Sequence, residues 1–365
     1  MTLPPLDIIP ARVAALSDYE MLARERMTEE VWAYFAGGAG DEWTLRENVA
    51  AFSRLPLQSR ALRDLSSGHT RTTLFGSELA APILLAPVAF QRLAHPDGEL
   101  ATVLAAGALE TGLVVSTQAS VTLEEIAQCA TAPLWFQLYV QPDRAFTAQL
   151  VKRAEQAGYR AIVVTVDAPV NGVRNREQRA GFALPPGVEA INLKGMQGLP
   201  PPQPGALLFG TPLADSAAVW RDLEWLRDQT RLPIVLKGIV DPEDARRAVV
   251  AGIDGIIVSN HGGRALDGVP AAIDLLPAVC QTVGDSIPVL MDGGVRRGID
   301  VLRALALGAK AVLLGRPYVF ALATAGALGV AHALRILRAE FELAMALTGC
   351  TEVSAIDSSV LATRR

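Results

Sequence analysis

Four consecutive residues, His261, Gly262, Gly263 and Arg264, combine a base that titrates near neutral pH with a permanently charged, fork-shaped cation. The two glycines between them let the chain turn, so that both side chains can face one small ligand. A histidine that removes a proton needs a carboxylate to stabilise the resulting imidazolium, and Asp167, closing the run AIVVTVD (161–167), is the candidate. Lys237, in PIVLKG (233–238), suits either of two tasks. It can form a Schiff base, as in an aldolase, or stabilise a developing negative charge. DGGVRRG (292–298) and LGRP (314–317) place glycines beside arginines, a combination in which backbone N–H groups surround a phosphate and arginine supplies charge. Each motif alone is compatible with a tight turn and solvated arginines. Their positions decide otherwise.

After residue 80, eight short apolar runs start at 83, 113, 134, 161, 233, 255, 287 and 310. They show no in/out alternation, as expected of strands covered on both faces. Between them lie helix signals: DPEDARRAVVAG (241–252), SVTLEEIAQCA (120–130) and DRAFTAQLVKRAEQAG (143–158). Eight strand-plus-helix units predict an α/β fold, a (β/α)8 TIM barrel forming a single domain over 1–365. The starts are 21–32 residues apart except for 72 between 161 and 233. That excess predicts a long loop after strand 4, an insertion at about 170–220 that includes Pro200–Pro202, placed as a lid over the active face. Residues 1–80 read as a helical preface, clearest in MTEEVWAYFAGGAGDEWTLRENVAAF (27–52). In such a barrel, chemistry gathers at the C-terminal ends of strands. Those ends carry Gln137 and Tyr139, Thr165 and Asp167, Lys237, Ser259, Asp292, and Gly315 with Arg316. So many polar groups on one rim are hard to explain by packing.

Composition narrows the partners. The chain has 365 residues, half of them hydrophobic, and a net charge of -5. An acidic surface gains nothing from nucleic acid or anionic lipid, so neither is expected as a partner. Cys129, Cys280 and Cys350 are far apart and form no C-x-x-C pair, so neither disulfides nor a metal site are expected. The N-terminal twenty residues do not read as a signal peptide, no stretch is read as reaching the ~18 uncharged apolar residues of a membrane span, and the terminal ATRR is not a peroxisomal signal. The expectation is a soluble, cytoplasmic protein.

Several stretches together resemble a known family. YFAGGAGDEWTLREN, APVAFQRLAHPDGE, WFQLYV, TVDAP, LKG, SNHGGRALDG, DGGVRRGIDVLRALALGA and GRP, covering nearly the whole chain, are similar to the FMN-dependent (S)-2-hydroxy-acid oxidases. That family includes glycolate oxidase, lactate oxidase and mandelate dehydrogenase. The resemblance implies that His261 is the base, Asp167 its partner, and Arg264 and Arg174 the clamp for the substrate carboxylate. It implies that Tyr34 also contacts the carboxylate and that Tyr139 lies beside the substrate hydroxyl. For FMN it implies backbone contacts from Pro87, Val88 and Ala89 and side-chain contacts from Gln137, Thr165, Lys237 and Ser259. The phosphate falls on Asp292, Gly293, Gly294 and Arg296 with Gly315 and Arg316. Oxidising a 2-hydroxy acid removes two electrons that no ordinary side chain accepts, which is why a cofactor is implied. The base would take either the α-proton or the hydroxyl proton.

The implied reaction joins a 2-hydroxy acid, L-lactate first, to O2 and yields a 2-oxo acid and H2O2 in a homotetramer. Alternatives within the family are a quinone or other acceptor, and glycolate or an aryl hydroxy acid as substrate. Outside it stand the Schiff-base aldolase and a barrel that binds FMN without turnover. Some positions depart from the family pattern. Ala119 stands where relatives commonly carry a hydroxyl, Val173 replaces an arginine, and Ala265 replaces a glutamine. STQASVTLEE (116–125) is shorter than the plant version and lacks its pocket tryptophan, and the loop after strand four lacks the apolar membrane-docking segment. Residues 116–122, Phe90 and the loop at 186–218 are expected to set pocket size.

Overall fold

The computed structural model describes residues 2–201 and 207–362. Pro202, part of the proline run, and the C-terminal residues 363–365 lie outside the described residues. Every one of the eight apolar runs forms a strand: β3 (Ile83–Leu85), β4 (Gly112–Ser116), β5 (Leu134–Leu138), β6 (Ile162–Thr165), β7 (Ile234–Ile239), β8 (Gly255–Val258), β9 (Val289–Asp292) and β10 (Val312–Leu314). They pair in parallel, in sequence order, and β10 closes on β3. This is a (β/α)8 barrel. The missing alternation has its cause in two cores. Leu84, Val114, Trp135, Val163, Val235, Ile257, Leu290 and Leu313 fill the barrel interior. Their strand neighbours, such as Leu85, Val115, Phe136, Leu236 and Met291, pack in the other core, against the helices. Both faces of each strand are therefore apolar.

The helices are α1 (Asp18–Arg24), α2 (Glu29–Ala36), α3 (Trp43–Ala50), α4 (Glu99–Ala108), α5 (Leu123–Gln128), α6 (Arg144–Gln156) and α7 (Asn175–Arg179). They continue with α8 (Pro212–Asp215), α9 (Trp220–Gln229), α10 (Pro242–Val250), α11 (Ala272–Val283), α12 (Gly298–Ala306) and α13 (Arg316–Thr348). Local signals start several of them. Thr122 and Glu125 form a reciprocal capping box on α5, Asp143 accepts from the Phe146 N–H, and Asp241 accepts from two N–H groups at the start of α10.

Three expectations need correction. The preface is not helical throughout: Thr72–Leu74 (β1) and Ser77–Leu79 (β2) form an antiparallel hairpin. Its two-residue turn, Phe75–Gly76, has positive φ at both positions, as the right-handed twist of a tight hairpin favours. Second, α13 is long and apolar enough by composition to cross a membrane, yet 67% of its most apolar window is buried in the protein. It packs on α1, α4 and α12, and Ala325 and Gly326 leave helical geometry and break it into two segments. Third, the insertion at about 170–220, expected as a lid, is divided: Asn171, Arg174, Glu177, Phe182 and Leu184 face the cavity at the barrel mouth, whereas no described residue of 186–218 does. Ile191 donates to the Ala119 carbonyl, and buried Asn192 bonds to both Val121 and Leu123, which fastens this segment to the barrel flank.

Candidate active site

The polar rim follows from strand periodicity. Side chains two residues apart point the same way, so the layer above the apolar barrel interior is Ala86, Ser116, Gln137, Thr165, Lys237, Ser259, Asp292 and Gly315. Most of these polar groups bond to each other. Gln137 donates to Thr165 Oγ1 at 3.0 Å and accepts from the Thr117 N–H at 3.2 Å. Lys237 Nζ lies 3.0 Å from Asp292 Oδ2 and 2.9 Å from Ser259 Oγ. Burial works to lower the Lys237 pKa, but the charges of Asp292 and Asp167 outweigh it and hold the ammonium above its ordinary value. An ammonium engaged by the Asp292 carboxylate is a poor amine nucleophile, which argues against the Schiff-base alternative.

One step further up lie Tyr139, Asp167 and His261. His261 Nδ1 is 2.8 Å from Asp167 Oδ1. Burial raises the Asp167 pKa, yet His261 and Lys237 together bring it below the usual carboxylate range. Burial pushes the Tyr139 hydroxyl up to about 12, so it stays protonated and able to donate. The histidine is presented by a run of left-handed residues, with φ of +58° at His261, +60° at Gly262 and +74° at Gly263. A Cβ on Gly263 would sit 2.6 Å from the Leu45 nitrogen, so glycine there lets α3 close against the loop. Asp267 fastens the same junction by accepting from the N–H groups of Asp41 and Thr44. The preface thereby carries Tyr34 across the barrel mouth.

A cavity of about 410 Å³ opens on this rim. Tyr34, Tyr139, Arg174, His261 and Arg264 line it, as do Pro87, Val88, Ala89, Gln137, Thr165 and Lys237. So do Asp292, Gly293, Gly294, Arg296, Gly315 and Arg316. Two residues singled out in the sequence stand behind the wall instead. Asp167 reaches the cavity through His261, and Ser259 through Lys237. Sequence reasoning did not single out Glu177, Asn171, Phe182 or Leu184, which also line the cavity, as does Gln118 from the 116–122 segment expected to set pocket size. Phe182 stacks on Tyr34 with ring centres 4.6 Å apart, and Phe90 lies 6.2 Å from the same ring. Pocket size is therefore set by Phe90, Phe182 and Leu184 with Ser116 and Gln118, and by no described residue of 186–218.

The donor set fits FMN. Arg296 and Arg316 border the cavity, and burial pulls both guanidinium pKa values below their ordinary level. Neither has a carboxylate within ion-pair distance among the described residues; Arg316 donates only to the carbonyls of Phe35, Gly37 and Gly262. Beside them Gly293 and Gly294 have φ of +95° and +88°, and a Cβ on Gly294 would fall 1.9 Å from the Asn48 carbonyl oxygen. Two such cations next to a tight glycine loop match a phosphate. Asp292 Oδ1 is a buried acceptor with no partner among the described residues, suited to a hydroxyl of the cofactor.

Comparison with known proteins agrees. An L-lactate oxidase of Nostoc sp. is 46% identical over 354 residues, covering 95% of this chain and 97% of that protein. An L-lactate oxidase of Alicycliphilus denitrificans is 49% identical over 360 residues, 98% of each chain. Among solved structures, mandelate oxidase with benzoyl-formic acid superposes with a TM-score of 0.87 at 44% identity, covering 96% of this chain and 98% of that one. The family model described as FMN-dependent dehydrogenase matches residues 23–363. With Arg296 and Arg316 beside a glycine loop, the buried Lys237–Asp292 pair and the His–Asp pair on one barrel rim, the chain belongs to the FMN-dependent dehydrogenase family.

Proposed function

We propose that this enzyme oxidises (S)-2-hydroxy acids, L-lactate first, to 2-oxo acids and passes the electrons to O2, forming H2O2. The observation that carries this reading is the convergence of His261, paired with Asp167 at 2.8 Å, and two arginines, Arg174 and Arg264, on a single cavity. FMN, when bound, would supply the two-electron acceptor that no side chain provides. Arg174 and Arg264 bind the substrate carboxylate, Tyr34 lies against it, and Tyr139 donates to the substrate hydroxyl. His261 takes the proton, and Asp167 stabilises the imidazolium that results. Lys237, paired with Asp292 and held cationic, would stabilise negative charge on the cofactor when it is bound.

The cofactor is larger than any candidate acid and shares the same cavity of about 410 Å³, which favours a small substrate. The aromatic lining of Tyr34, Phe90 and Phe182 favours an aryl hydroxy acid as the second reading. A peroxide-coupled screen of lactate, glycolate, longer aliphatic acids and mandelate separates them, followed by anaerobic bleaching of the flavin with the best substrate. Bleaching without peroxide on re-aeration assigns another acceptor, and no bleaching by any of them refutes the reading. A homotetramer, for which the exposed leucines Leu62, Leu343 and Leu347 offer apolar surface, and a cytoplasmic location complete the proposal. Light scattering that returns the 38.7 kDa monomer overturns the assembly.

A further inference from the structure

The two arginines are not held alike. Arg264 is anchored from several sides: Nη1 donates to the carbonyls of Tyr34 and Gly37, and the guanidinium lies 5.1 Å from the Tyr34 ring centre. The Arg174 side chain makes one hydrogen bond among the described residues, from Nη1 to Glu177 Oε1 at 3.1 Å, and its Nε is buried without a partner there. The same Glu177 oxygen accepts from Arg264 Nη2 at 3.0 Å. The donor nitrogens of two like charges are thus at most about 6.1 Å apart, joined only through that oxygen. Glu177 lies in the first turn of α7, three positions after the N-cap residue Arg174, so its carboxylate folds back toward the start of the helix. The helix is fixed in turn by Asn175, which donates to the Gly40 carbonyl at 3.2 Å, and by the Arg176–Glu42 ion pair.

We propose that Glu177 is the positioning residue of carboxylate recognition: through its shared oxygen it holds Arg174 in reach of the substrate carboxylate and beside Arg264. The inference rests on the 2-hydroxy-acid reading of the site. Arg264 keeps its place without Glu177, whereas Arg174 loses its one anchor. Glu177 therefore acts through Arg174, and its removal should matter little once Arg174 is itself compromised.

The test uses the FMN-loaded enzyme, with oxalate as a carboxylate that is bound but not oxidised. E177Q should raise the KM for lactate and the oxalate Kd together by roughly 10- to 100-fold, with kcat falling less, the range of a lost hydrogen bond to a charged group. E177D, which keeps the charge on a shorter arm, should recover part of both. In an R174K background E177Q should change the oxalate Kd by less than about 3-fold, while in R264K it should keep the larger part of its effect, since Arg264 has anchors besides Glu177 and Arg174 has none among the described residues. Equal effects in both backgrounds, or a KM and Kd unchanged by E177Q, overturn the proposal. If E177Q does not fold, E177D in the same two backgrounds is read the same way. Wild-type enzyme that binds oxalate but oxidises no hydroxy acid refutes the functional reading alone, and the oxalate comparison still decides on Glu177. Wild-type enzyme that does not bind oxalate refutes both.

Discussion

His261 and Asp167 act as a unit because each supplies what the other's position lacks. Asp167 is nearly enclosed, which opposes its charge, and the neighbouring His261 and Lys237 reverse that opposition. His261 gains a fixed ring orientation from the 2.8 Å contact. Replacing His261 with Gln should leave FMN bound while slowing anaerobic bleaching by substrate on the order of 10²–10⁴-fold, the cost of a lost general base. Near-normal bleaching would remove His261 from that role. The Asp167 carboxyl also makes stability depend on pH in a definite direction. Its folded pKa is lowered relative to about 3.9 in an unfolded chain, so its ionised form stabilises the fold above that value, and the contribution fades as pH falls through the folded pKa. The difference in Tm between wild type and D167N should therefore be full at neutral pH and shrink below about pH 4. A difference that widens toward acid contradicts the assignment of charge at this position.

At the scale of elements, the site is a strand-period effect. Leu84, Val114, Trp135 and Val163 fill the barrel, and two residues on from each stand Ala86, Ser116, Gln137 and Thr165. That is why the strand ends, and with them most of the cavity wall, were legible in the sequence. The caps on α5, α6 and α10 were legible for a similar reason, since a single Thr or Asp defines each start. Other features depend on contacts distant in sequence. Glu177 gains its place from Arg264, 87 residues away, and α7 is too short to show periodicity. The insertion at about 170–220 reads as a lid by its position after strand four, and its first part does line the cavity, but Asn192 ties a later stretch to α5, which no local pattern announces. The glycine loop after β9 supplies the test at this scale. Gly294→Ala combines a left-handed backbone with a Cβ placed 1.9 Å from the Asn48 carbonyl, so the loop and α3 must part. The strain alone is about 1–3 kcal/mol. The variant should melt lower and purify with less FMN per protein, measured by the ratio of flavin to protein absorbance. Full FMN content would show that the phosphate is held elsewhere.

The whole molecule separates stability from chemistry along the barrel axis. The polar rim lies at the C-terminal ends of the strands, while the opposite end is closed by the hairpin β1–β2, whose Phe75 packs against the interior from that side. Its ring meets Trp135 edge-on with centres 5.3 Å apart, and a Cβ on Gly255 would come within 2.7 Å of its Cζ. Phe75 packs on the interior apolar cluster, which stands as a layer between it and Gln137, Thr165 and Lys237. No polar group of the rim extends through that layer among the described residues. Deleting the ring therefore removes packing without disturbing the hydrogen bonds that orient His261 or Lys237. Phe75→Ala should lower stability by about 3 kcal/mol, the low end for a core phenylalanine because this one is only partly buried. FMN content and kcat, measured below the lowered melting temperature, should stay within about 2-fold of wild type, since conservation of activity is expected for changes at the bottom face. A loss of FMN or a fall in kcat at a temperature where the variant remains folded would mean that strain crosses the apolar layer. The two ends of the barrel would then be a single cooperative unit.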